Sequence, residues 1–271
     1  MIGHNLEGYN VVDKVKEGSV GEIWLAGKET QMYALKMLFE KHCENSDKRR
    51  RFKREAKIAR GLSHKNVIRT YEYYDGPPRP FYVMEFFPSE NLKRLILDRP
   101  GFLDGRRFTI LRQTCEAVAY IHGQGVVHRD LKPENLLVAE NGMVKLIDFS
   151  IAQTKWDRIV GFFGQKASGS PSYMPPEQIQ NKSTDYRSDF YSLGVLAFEL
   201  FTGRLPFTGP SMQAVFEKHL REKIPSVRQF DGKVPLEVDV VIQALMQKHA
   251  ERRPTSLSDI IYVLGKQEVR A

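Results

Sequence analysis

Two short polar turns, each next to an apolar, strand-like run, constrain this chain more than any other feature. The first is 127–135 (Val-His-Arg-Asp-Leu-Lys-Pro-Glu-Asn), and the second is 146–150 (Leu-Ile-Asp-Phe-Ser). A site that transfers a phosphoryl group must accept the proton of an attacking hydroxyl and hold Mg²⁺ beside a nucleotide. The side chains suited to those tasks are Asp130, Lys132, Asn135 and Asp148. Each of them alone also fits an ordinary capped loop, but their joint spacing predicts a phosphoryl-transfer site.

The two turns match the catalytic-loop and metal-loop motifs of protein kinases. The chain resembles the catalytic domain of eukaryotic-like Ser/Thr protein kinases, and most of all their bacterial members, from about Tyr9 to Leu264. The resemblance implies an α+β, bilobal fold in one kinase domain spanning 1–271. We expect a small N-lobe (about 9–84) with an antiparallel β-sheet and one regulatory helix. A hinge (85–88) and a larger, mostly helical C-lobe (about 89–267) follow, with an ATP cleft between the lobes.

The resemblance also assigns a role to each polar residue of the two turns. Asp130 is the general base, or the residue that orients the substrate hydroxyl, and Lys132 steadies the transferring phosphoryl group. Asn135 and Asp148 hold the metal ions through hard oxygen ligands, which suit Mg²⁺. The run Asp-Leu-Lys-Pro-Glu-Asn resembles the Ser/Thr form of this loop, whereas tyrosine kinases usually carry Ala-Ala-Arg there. The implied acceptors are therefore Ser and Thr hydroxyls.

A glycine-containing turn at 16–23 predicts a hairpin between two strands. Its glycines are interpreted as necessary either for a positive φ or for a close approach of the backbone to phosphates, although an ordinary turn has the same pattern. By the resemblance, Gly18, Ser19 and Gly21 belong to the glycine-rich loop that covers the ATP phosphates. Lys16 stands where the family has its first glycine.

The apolar strand predicted at 32–38 carries a single lysine, Lys36. A lone lysine in a strand usually marks a sheet edge. The resemblance instead places Lys36 at the family's ATP-contacting lysine, where it pairs with the α- and β-phosphates. The other implied nucleotide-binding residues form an apolar slot around adenine and a backbone contact in the linker. They are Ile23, Ala34, Met84, Glu85, Phe87 and Leu137.

Helical periodicity over 46–62 predicts an amphipathic helix with Glu55 beside its apolar stripe. A glutamate in such a position is often simply solvated. The resemblance implies an ion pair between Glu55 and Lys36, which positions the lysine. Ala59, four residues further on, is smaller than the apolar residue expected to stack on Phe149.

Further helices are predicted in the second half of the chain. Amphipathic patterns cover 106–124, 235–248 and 256–264, and the stretch 188–200 is apolar nearly all round, as in a buried central helix. Asp189, near its start, either caps this helix or holds the backbone of the catalytic loop. Gly203 is the expected helix stop.

The stretch 151–174 resembles an activation loop, and the run 169–177 resembles the family's Gly-Thr-Pro-x-Tyr-Met-Ala-Pro-Glu segment. Ser170 takes the place of the threonine that contacts Asp130 and Lys132 and lines the substrate pocket. By the resemblance, Glu177 forms a buried pair with Arg253.

Regulation is suggested by Arg129, since a phosphate on the activation loop would neutralise this arginine and order the loop. The candidate phosphorylation sites are Thr154 and Ser168, of which Ser168 lies nearer the substrate end. Ser150 replaces the last glycine of the family's Asp-Phe-Gly motif, which reduces the conformational freedom of the metal loop.

The composition limits the other classes of protein to which this chain could belong. Of 271 residues, 41% are hydrophobic and 27% charged, which is typical of a globular domain. The net charge of +8 comes with a basic cluster at 48–54 that lies on one predicted helix without interleaved aromatics. We therefore favour a solvated helix face or a docking surface for acidic partners over a nucleic-acid site, and we expect no nucleic-acid partner.

Two cysteines, Cys43 and Cys115, have no metal-type spacing, and the chain has no run long enough to cross a membrane. These features indicate a reduced, cytoplasmic setting. Many bacterial members of the resembled family are the cytosolic part of a longer membrane protein, and that arrangement is compatible with this sequence.

The leading hypothesis is an active Ser/Thr kinase that uses ATP with Mg²⁺ or Mn²⁺ and acts on protein substrates. Autophosphorylation of the activation loop and a homodimer that supports it in trans are further implications of the resemblance. The alternative from another class is a pseudokinase or weakly active kinase that serves as a binding scaffold, which Lys16, Ala59 and Ser150 motivate. A small-molecule phosphotransferase of related fold is the third hypothesis.

Overall fold

The computed structural model describes residues 1–154 and 169–269. The chain divides into two compact units. The first unit comprises Met1–Pro88 together with Asp148–Ser150, and the second comprises Ser89–Ile147 and Ile151–Ala271. Strands dominate the first unit and helices the second, so the expected α+β class is confirmed.

The first unit is built on a six-stranded antiparallel sheet with the strand order β1-β2-β3-β4-β6-β5. Its strands are β1 (Asn5–Leu6), β2 (Tyr9–Glu17), β3 (Gly21–Lys28), β4 (Gln31–Leu38), β5 (Thr70–Tyr74) and β6 (Phe81–Glu85). Alternating apolar residues of these strands form one face, as the period of a β-strand requires. Trp24, Leu35, Met37, Phe81 and Val83 are the centre of that buried cluster.

Two helices complete the first unit: α1 (Glu40–Cys43) and α2 (Ser46–Arg60). Helix α2 begins where the Asn45 side chain accepts a hydrogen bond from the Lys48 N–H, a typical N-cap, and Gly61 follows its last residue. Its apolar stripe packs Phe52 and Ala56 against Leu38 and Tyr82 of the sheet. In the basic cluster, Arg50, Arg51 and Lys53 are exposed, and the others are partly exposed.

The second unit contains seven helices in its described part: α3 (Leu92–Asp98), α4 (Arg107–Gly123), α5 (Pro176–Ile179), α6 (Tyr186–Thr202), α7 (Met212–Arg221), α8 (Leu236–Leu245) and α9 (Ser258–Glu268). Its short strands are β7 (Glu90–Asn91), β8 (Val126–Val127), β9 (Leu136–Val138), β10 (Val144–Leu146) and β11 (Gln153–Thr154). They pair in the orders β10-β9-β7 and β11-β8. Helix α9 packs on α4, and α8 packs on α6.

Helix α6 is the buried centre of the second unit, as its sequence indicates, since all of its residues from Ser188 to Phe201 are buried. The Asp185 side chain caps its N-terminus by accepting a hydrogen bond from the Arg187 N–H. Gly203 ends the helix with φ 68°, a left-handed conformation that glycine adopts without strain. Asp185, and not Asp189, therefore caps α6. This leaves the second expectation for Asp189, that it holds the backbone of the catalytic loop.

Periodicity does not predict four of the described helices: α1, α3, α5 and α7. Helices α1 and α5 have four residues each and α3 has seven, which is too short for a helical period to be recognised, and α7 buries only one of its ten residues. Within residues 1–154 and 169–269, none of the helices combines the length and the apolar character that crossing a membrane requires.

Candidate active site

The turn after β8 is held in place by a buried carboxylate of helix α6. Asp189 accepts hydrogen bonds from the N–H groups of His128 (2.8 Å) and Arg129 (2.7 Å), and its Oδ2 lies 2.7 Å from His122 Nε2. Burial raises the pKa of the Asp189 carboxyl, but these partners outweigh burial and hold the pKa below its usual value. Arg129 has φ 70°, an uncommon conformation for a residue with a side chain. The Asp189 carboxylate therefore fixes the backbone immediately before Asp130.

Asp130, Lys132 and Ser170 form one hydrogen-bonded cluster in the second unit. Lys132 Nζ donates to Asp130 Oδ2 and to Ser170 Oγ, both at 2.7 Å. The Ser170 N–H donates to Asp130 Oδ1 at 2.9 Å. Both oxygens of the carboxylate are thus oriented, and an ammonium group lies beside them. A carboxylate in this setting can accept a proton from a hydroxyl while the ammonium stabilises negative charge.

Asn135 is tied to the same cluster. Its Nδ2 donates to the Asp130 carbonyl at 2.8 Å and lies 3.3 Å from Asp130 Oδ2. Its backbone carbonyl accepts from the Ile147 N–H at 3.0 Å, which joins this turn to the start of the second polar turn. With its nitrogen engaged toward Asp130, the amide oxygen of Asn135 is the atom suited to a metal ion.

In the first unit, Lys36 and Glu55 form a buried ion pair, with Lys36 Nζ 2.6 Å from Glu55 Oε1. Tyr82, which lies directly opposite Lys36 on the neighbouring strand β6, donates its hydroxyl to the same oxygen at 2.9 Å. Burial raises the pKa of the Glu55 carboxyl, and Lys36 opposes this rise. Glu55 is therefore not the solvated residue of the alternative interpretation.

Asp148 belongs to the first unit, and its Oδ1 lies 3.8 Å from Lys36 Nζ. It has φ 68°, and its Oδ1 accepts a hydrogen bond from the Ser150 N–H at 3.2 Å. Ser150 itself does not have a positive φ. In this conformation Asp148, and not Ser150, has the positive φ, and so the backbone at position 150 accommodates a serine without strain.

In the glycine turn, the interpretation that the glycines are needed for a positive φ is wrong. Neither Gly18 nor Gly21 has a positive φ, and the Gly18 N–H donates to the Gly21 carbonyl at 2.8 Å. A Cβ at Gly21 would lie 2.1 Å from the Met37 carbonyl oxygen, because β3 and β4 approach closely there. Sheet packing therefore requires glycine at position 21 whether or not a phosphate is bound. Ser19 lies exposed in the turn, and Lys16 sits in β2 opposite Ile23.

The residues expected around adenine lie on β3, β4 and β6 of the first unit, in the segment that follows β6, and on β9 of the second unit. In the first unit, Ile23 lies opposite Lys36 across β3 and β4, and Ala34 lies opposite Met84 across β4 and β6. Met84 packs on the cluster of Leu38, Phe52, Ala56 and Tyr82. The Glu85 N–H donates to the Arg69 carbonyl at 2.9 Å. Phe87 is half-buried, as is Leu137 on β9 of the second unit.

The residues expected to act in regulation are only partly described. Thr154 lies in β11 and pairs with Val126, whereas Ser168 lies outside the described residues.

The expected pair between Glu177 and Arg253 is present and bidentate, with N–O distances of 2.7 and 2.8 Å. Burial raises the pKa of the Glu177 carboxyl, but Arg253 outweighs burial and the net shift is downward.

Two polar partners were missed by sequence reasoning. Tyr82 was one residue of an apolar strand, and Glu199 was one residue of the apolar helix α6. Glu199 accepts hydrogen bonds from Lys93 Nζ and from the Tyr173 hydroxyl. In both cases the available signal was a polar group in a buried run, because such a group needs a partner.

Each of the two units contains a side chain whose oxygen suits a divalent metal ion. Asp148 offers a carboxylate and Asn135 an amide oxygen, both hard ligands of the kind that Mg²⁺ prefers. No cluster of three or more His, Cys, Asp or Glu residues suited to a metal occurs in the described part of the chain.

Comparison with known proteins gives a consistent result. The model of the protein kinase domain family matches residues 9–262. A probable serine/threonine-protein kinase of Clostridium perfringens is 32% identical over 260 residues, which are 95% of this chain and 38% of that protein. A probable serine/threonine-protein kinase PknB of Lactococcus lactis is 30% identical over 262 residues (93% and 41%). The serine/threonine-protein kinase PrkC of Bacillus subtilis is 30% identical over 263 residues (96% and 40%). The chain thus spans about two fifths of the length of these relatives.

Proposed function

We infer that this chain is a protein serine/threonine kinase. It belongs to the protein kinase domain family, whose model matches residues 9–262. The family uses ATP and a divalent metal ion. The reaction is the transfer of the γ-phosphoryl group of ATP to a Ser or Thr hydroxyl of a protein, which leaves a phosphoprotein and ADP. The names of the relatives support Ser and Thr as acceptors.

One observation carries this proposal: Lys132 Nζ bonds both to the Asp130 carboxylate and to Ser170 Oγ. Asp130 is the group that orients the acceptor hydroxyl and receives its proton. Lys132 stabilises the negative charge of the transferring group as a mobile point charge. Ser170 holds the segment 169–177 beside them and lines the acceptor side of the site.

The nucleotide and metal are held by the remaining site residues. When bound, ATP and its metal ion supply the phosphoryl group and neutralise charge on the phosphates. Asn135 and Asp148 would hold the metal, Mg²⁺ or Mn²⁺. Lys36, positioned by Glu55, would contact the α- and β-phosphates. Gly18, Ser19 and Gly21 would cover the phosphates, and the apolar residues around adenine are those named above.

Regulation is proposed at the loop that follows Ser150. Phosphorylation of Thr154 or Ser168 would place a dianion that Arg129 could neutralise. A homodimer would allow one copy to phosphorylate the other. The dependence of the autophosphorylation rate on protein concentration distinguishes transfer within one copy from transfer between two copies, since only the latter is second order.

The test is autophosphorylation with ATP and either Mg²⁺ or Mn²⁺, comparing the wild type with Asp130→Asn. The variant loses the proton acceptor but keeps the side-chain size, so we expect the rate to fall by about a hundredfold or more. Mapping the label should find it on Ser or Thr within 151–172. The matched control is Asp104→Asn in the same unit, whose exposed carboxylate should leave the rate unchanged.

Two other outcomes would each support one of the alternative hypotheses. A wild type that incorporates no label, and whose melting temperature does not change with nucleotide, would support the scaffold alternative. The intact Lys36–Glu55 pair and the unstrained Ser150 give that alternative no support. Turnover of ATP with a small alcohol or amine, but with no protein acceptor, would instead support the small-molecule phosphotransferase.

A further inference from the structure

Two glutamates face each other at the base of the glycine turn in the first unit. Lys16 lies opposite Ile23 and Glu17 lies opposite Glu22, so β2 and β3 stay paired up to the residue before Gly18. Like charges directly opposite each other destabilise a pair of strands. They are also unfavourable beside a turn that is to cover the phosphates of a nucleotide, because the phosphates are negative as well. The two carboxylates therefore require cations.

Lys14 of β2 supplies the first cation. Its Nζ lies 2.8 Å from Glu22 Oε1 and also forms an ion pair with Glu17 Oε1. The ammonium lies 5.6 Å from the ring centre of Trp24, the residue directly opposite Lys14 on β3. One ammonium group thus links the last residue before the turn to a residue just behind it.

The second cation comes from outside the hairpin. Arg79 lies in the segment between β5 and β6, and its Nη2 is 3.0 Å from Glu22 Oε2. The side chains of Arg79 and Glu22 are each only 13% exposed. Burial raises the pKa of the Glu22 carboxyl, but the hydrogen bonds from Lys14 and Arg79 outweigh burial and hold the pKa below its usual value. Glu22 is therefore a charged group with both oxygens fixed.

The turn between these charges has few other restraints. The Gly18 N–H donates to the Gly21 carbonyl at 2.8 Å, and the Phe39 N–H donates to the Val20 carbonyl at 3.1 Å. The Val20 side chain packs on the buried cluster that contains Phe52. A short turn with so few backbone hydrogen bonds opens easily unless its ends are held. The ion pairs of Glu22 hold both ends.

We propose that Glu22 is a positioning residue for the nucleotide phosphates, and that it acts by anchoring the glycine turn through Lys14 and Arg79. The proposal rests on the proposed function, because there the turn is assigned to the phosphates of ATP. The three anchoring residues belong to the first unit, whereas the acceptor residues Asp130 and Ser170 belong to the second. The anchor therefore acts on the nucleotide and not on the protein acceptor.

The experiment compares Arg79→Met with Arg79→Lys in the whole chain. Methionine removes the cation at similar length, and lysine keeps it. With casein as a generic protein acceptor, the KM for ATP should rise about fivefold in Arg79→Met, the size of one partly exposed ion pair. The KM for casein should be unchanged, and Arg79→Lys should recover most of the loss. Adding Arg79→Met to Glu22→Gln should cause no further rise, because both changes remove the same interaction.

A second readout does not need activity. The amides of Gly18 and Phe39 donate the two backbone hydrogen bonds of the turn, so their hydrogen exchange reports on its opening. Exchange should be about fivefold faster in Arg79→Met and close to wild type in Arg79→Lys. The control is Val11→Ala, a buried position near the other end of β2. It should lower the melting temperature without changing the KM for ATP or the exchange of the turn.

Four results would overturn the proposal: an unchanged KM for ATP in Arg79→Met, equal effects of methionine and lysine, unchanged exchange at Gly18 and Phe39, or the same KM change in Val11→Ala. A wild type that neither binds nor uses ATP would contradict the proposed function instead. The exchange measurement would still decide whether Glu22 and Arg79 anchor the turn.

Discussion

At the scale of single residues, the buried pair of Lys36 and Glu55 shows how burial turns two common side chains into a site. The Glu55 side chain is 4% exposed and that of Lys36 is 14% exposed, so neither charge is well solvated. Each depends on the other, and Glu55 also accepts a hydrogen bond from the Tyr82 hydroxyl. Removing one member of a buried pair is far more costly than removing one member of an exposed pair.

Replacing Lys36 with methionine should therefore leave Glu55 as a buried carboxylate without its cation. We expect a loss of about 3 kcal/mol in the free energy of unfolding near pH 8, at the low end for a broken buried pair because the Tyr82 hydrogen bond remains. Burial already raises the pKa of Glu55, and without Lys36 the pKa rises further. The folded state then keeps the proton to a higher pH than the unfolded state.

The variant should consequently become less stable as the pH rises through the interval between those two pKa values, and its deficit should shrink toward pH 5. Urea unfolding at several pH values measures this. Adding Glu55→Gln to Lys36→Met should remove this extra pH dependence, because no buried carboxylate is left to titrate. The exposed pair Arg50–Asp47 is the control, since Arg50→Met should behave like the wild type at every pH. A deficit in Lys36→Met that does not depend on pH would contradict the explanation.

At the scale of elements, the close approach of β3 and β4 decides what position 21 tolerates. The two strands pair in register from Gly21 opposite Leu38 to Lys28 opposite Gln31. The Met37 carbonyl occupies the place where a side chain at 21 would begin. At Gly18 the same test finds ordinary contact, 3.4 Å from the Gly21 carbonyl oxygen.

Alanine at the two glycines should separate packing from ligand binding. Gly21→Ala should lower the free energy of unfolding by about 2 kcal/mol, because backbone must move to admit the methyl group. Gly18→Ala should change stability little and affect only the nucleotide-dependent readouts. Thermal unfolding with and without ATP measures both effects. Equal stability of the two variants without nucleotide would show that β3 can shift at no cost.

The central helix α6 illustrates the same scale. Asp185 supplies the cap, and so Asp189, one turn later, is available to hold the backbone of His128 and Arg129. Gly194 allows the helix to approach Leu245 and Met246, since a Cβ there would lie within 2.9 Å of Leu245 Cβ. Capping, packing and support of the catalytic turn are thus divided among different residues of one element.

At the scale of the whole molecule, each unit supplies its own part of the proposed chemistry. The first unit contains Lys36, Glu55 and Asp148, and the second contains Asp130, Lys132 and Asn135. The chain spans about two fifths of its relatives, and so the substrates and partners of the whole protein stay proposals.

ATP with Mg²⁺ should stabilise the chain by mass action. At a hundredfold excess over the dissociation constant, binding is worth about 2.7 kcal/mol, or roughly 5 to 10 °C in melting temperature for a chain of this size. Removing the metal with EDTA should abolish most of the shift, because the phosphates then face Asp148 without a cation. Asp148→Asn should make the shift largely independent of metal.

The control for this measurement is Asp98→Asn, an exposed aspartate of the second unit that should respond to metal like the wild type. A metal-dependent shift that survives in Asp148→Asn would remove Asp148 from the metal site. Replacing Mg²⁺ with Mn²⁺ in the same series identifies the preferred ion.

The sequence by itself determined the family, the α+β class and most of the helices and strands. Its information is local: the motif around Asp130 has a fixed spacing, and the apolar period of 46–62 or the continuous apolar run of 188–200 follows directly from helix geometry. The pair between Glu177 and Arg253 was also expected from the motifs that contain them.

Only the tertiary structure decided how residues far apart in the chain divide their tasks. Sequence could not choose between two tasks for Asp189, because the choice depended on a cap supplied by Asp185 and on the approach of His128 across 61 positions. Gly21 is required by a carbonyl of another strand. Burial, close approach and the pKa shifts that follow from them arise from contacts across the fold, which a local pattern does not contain.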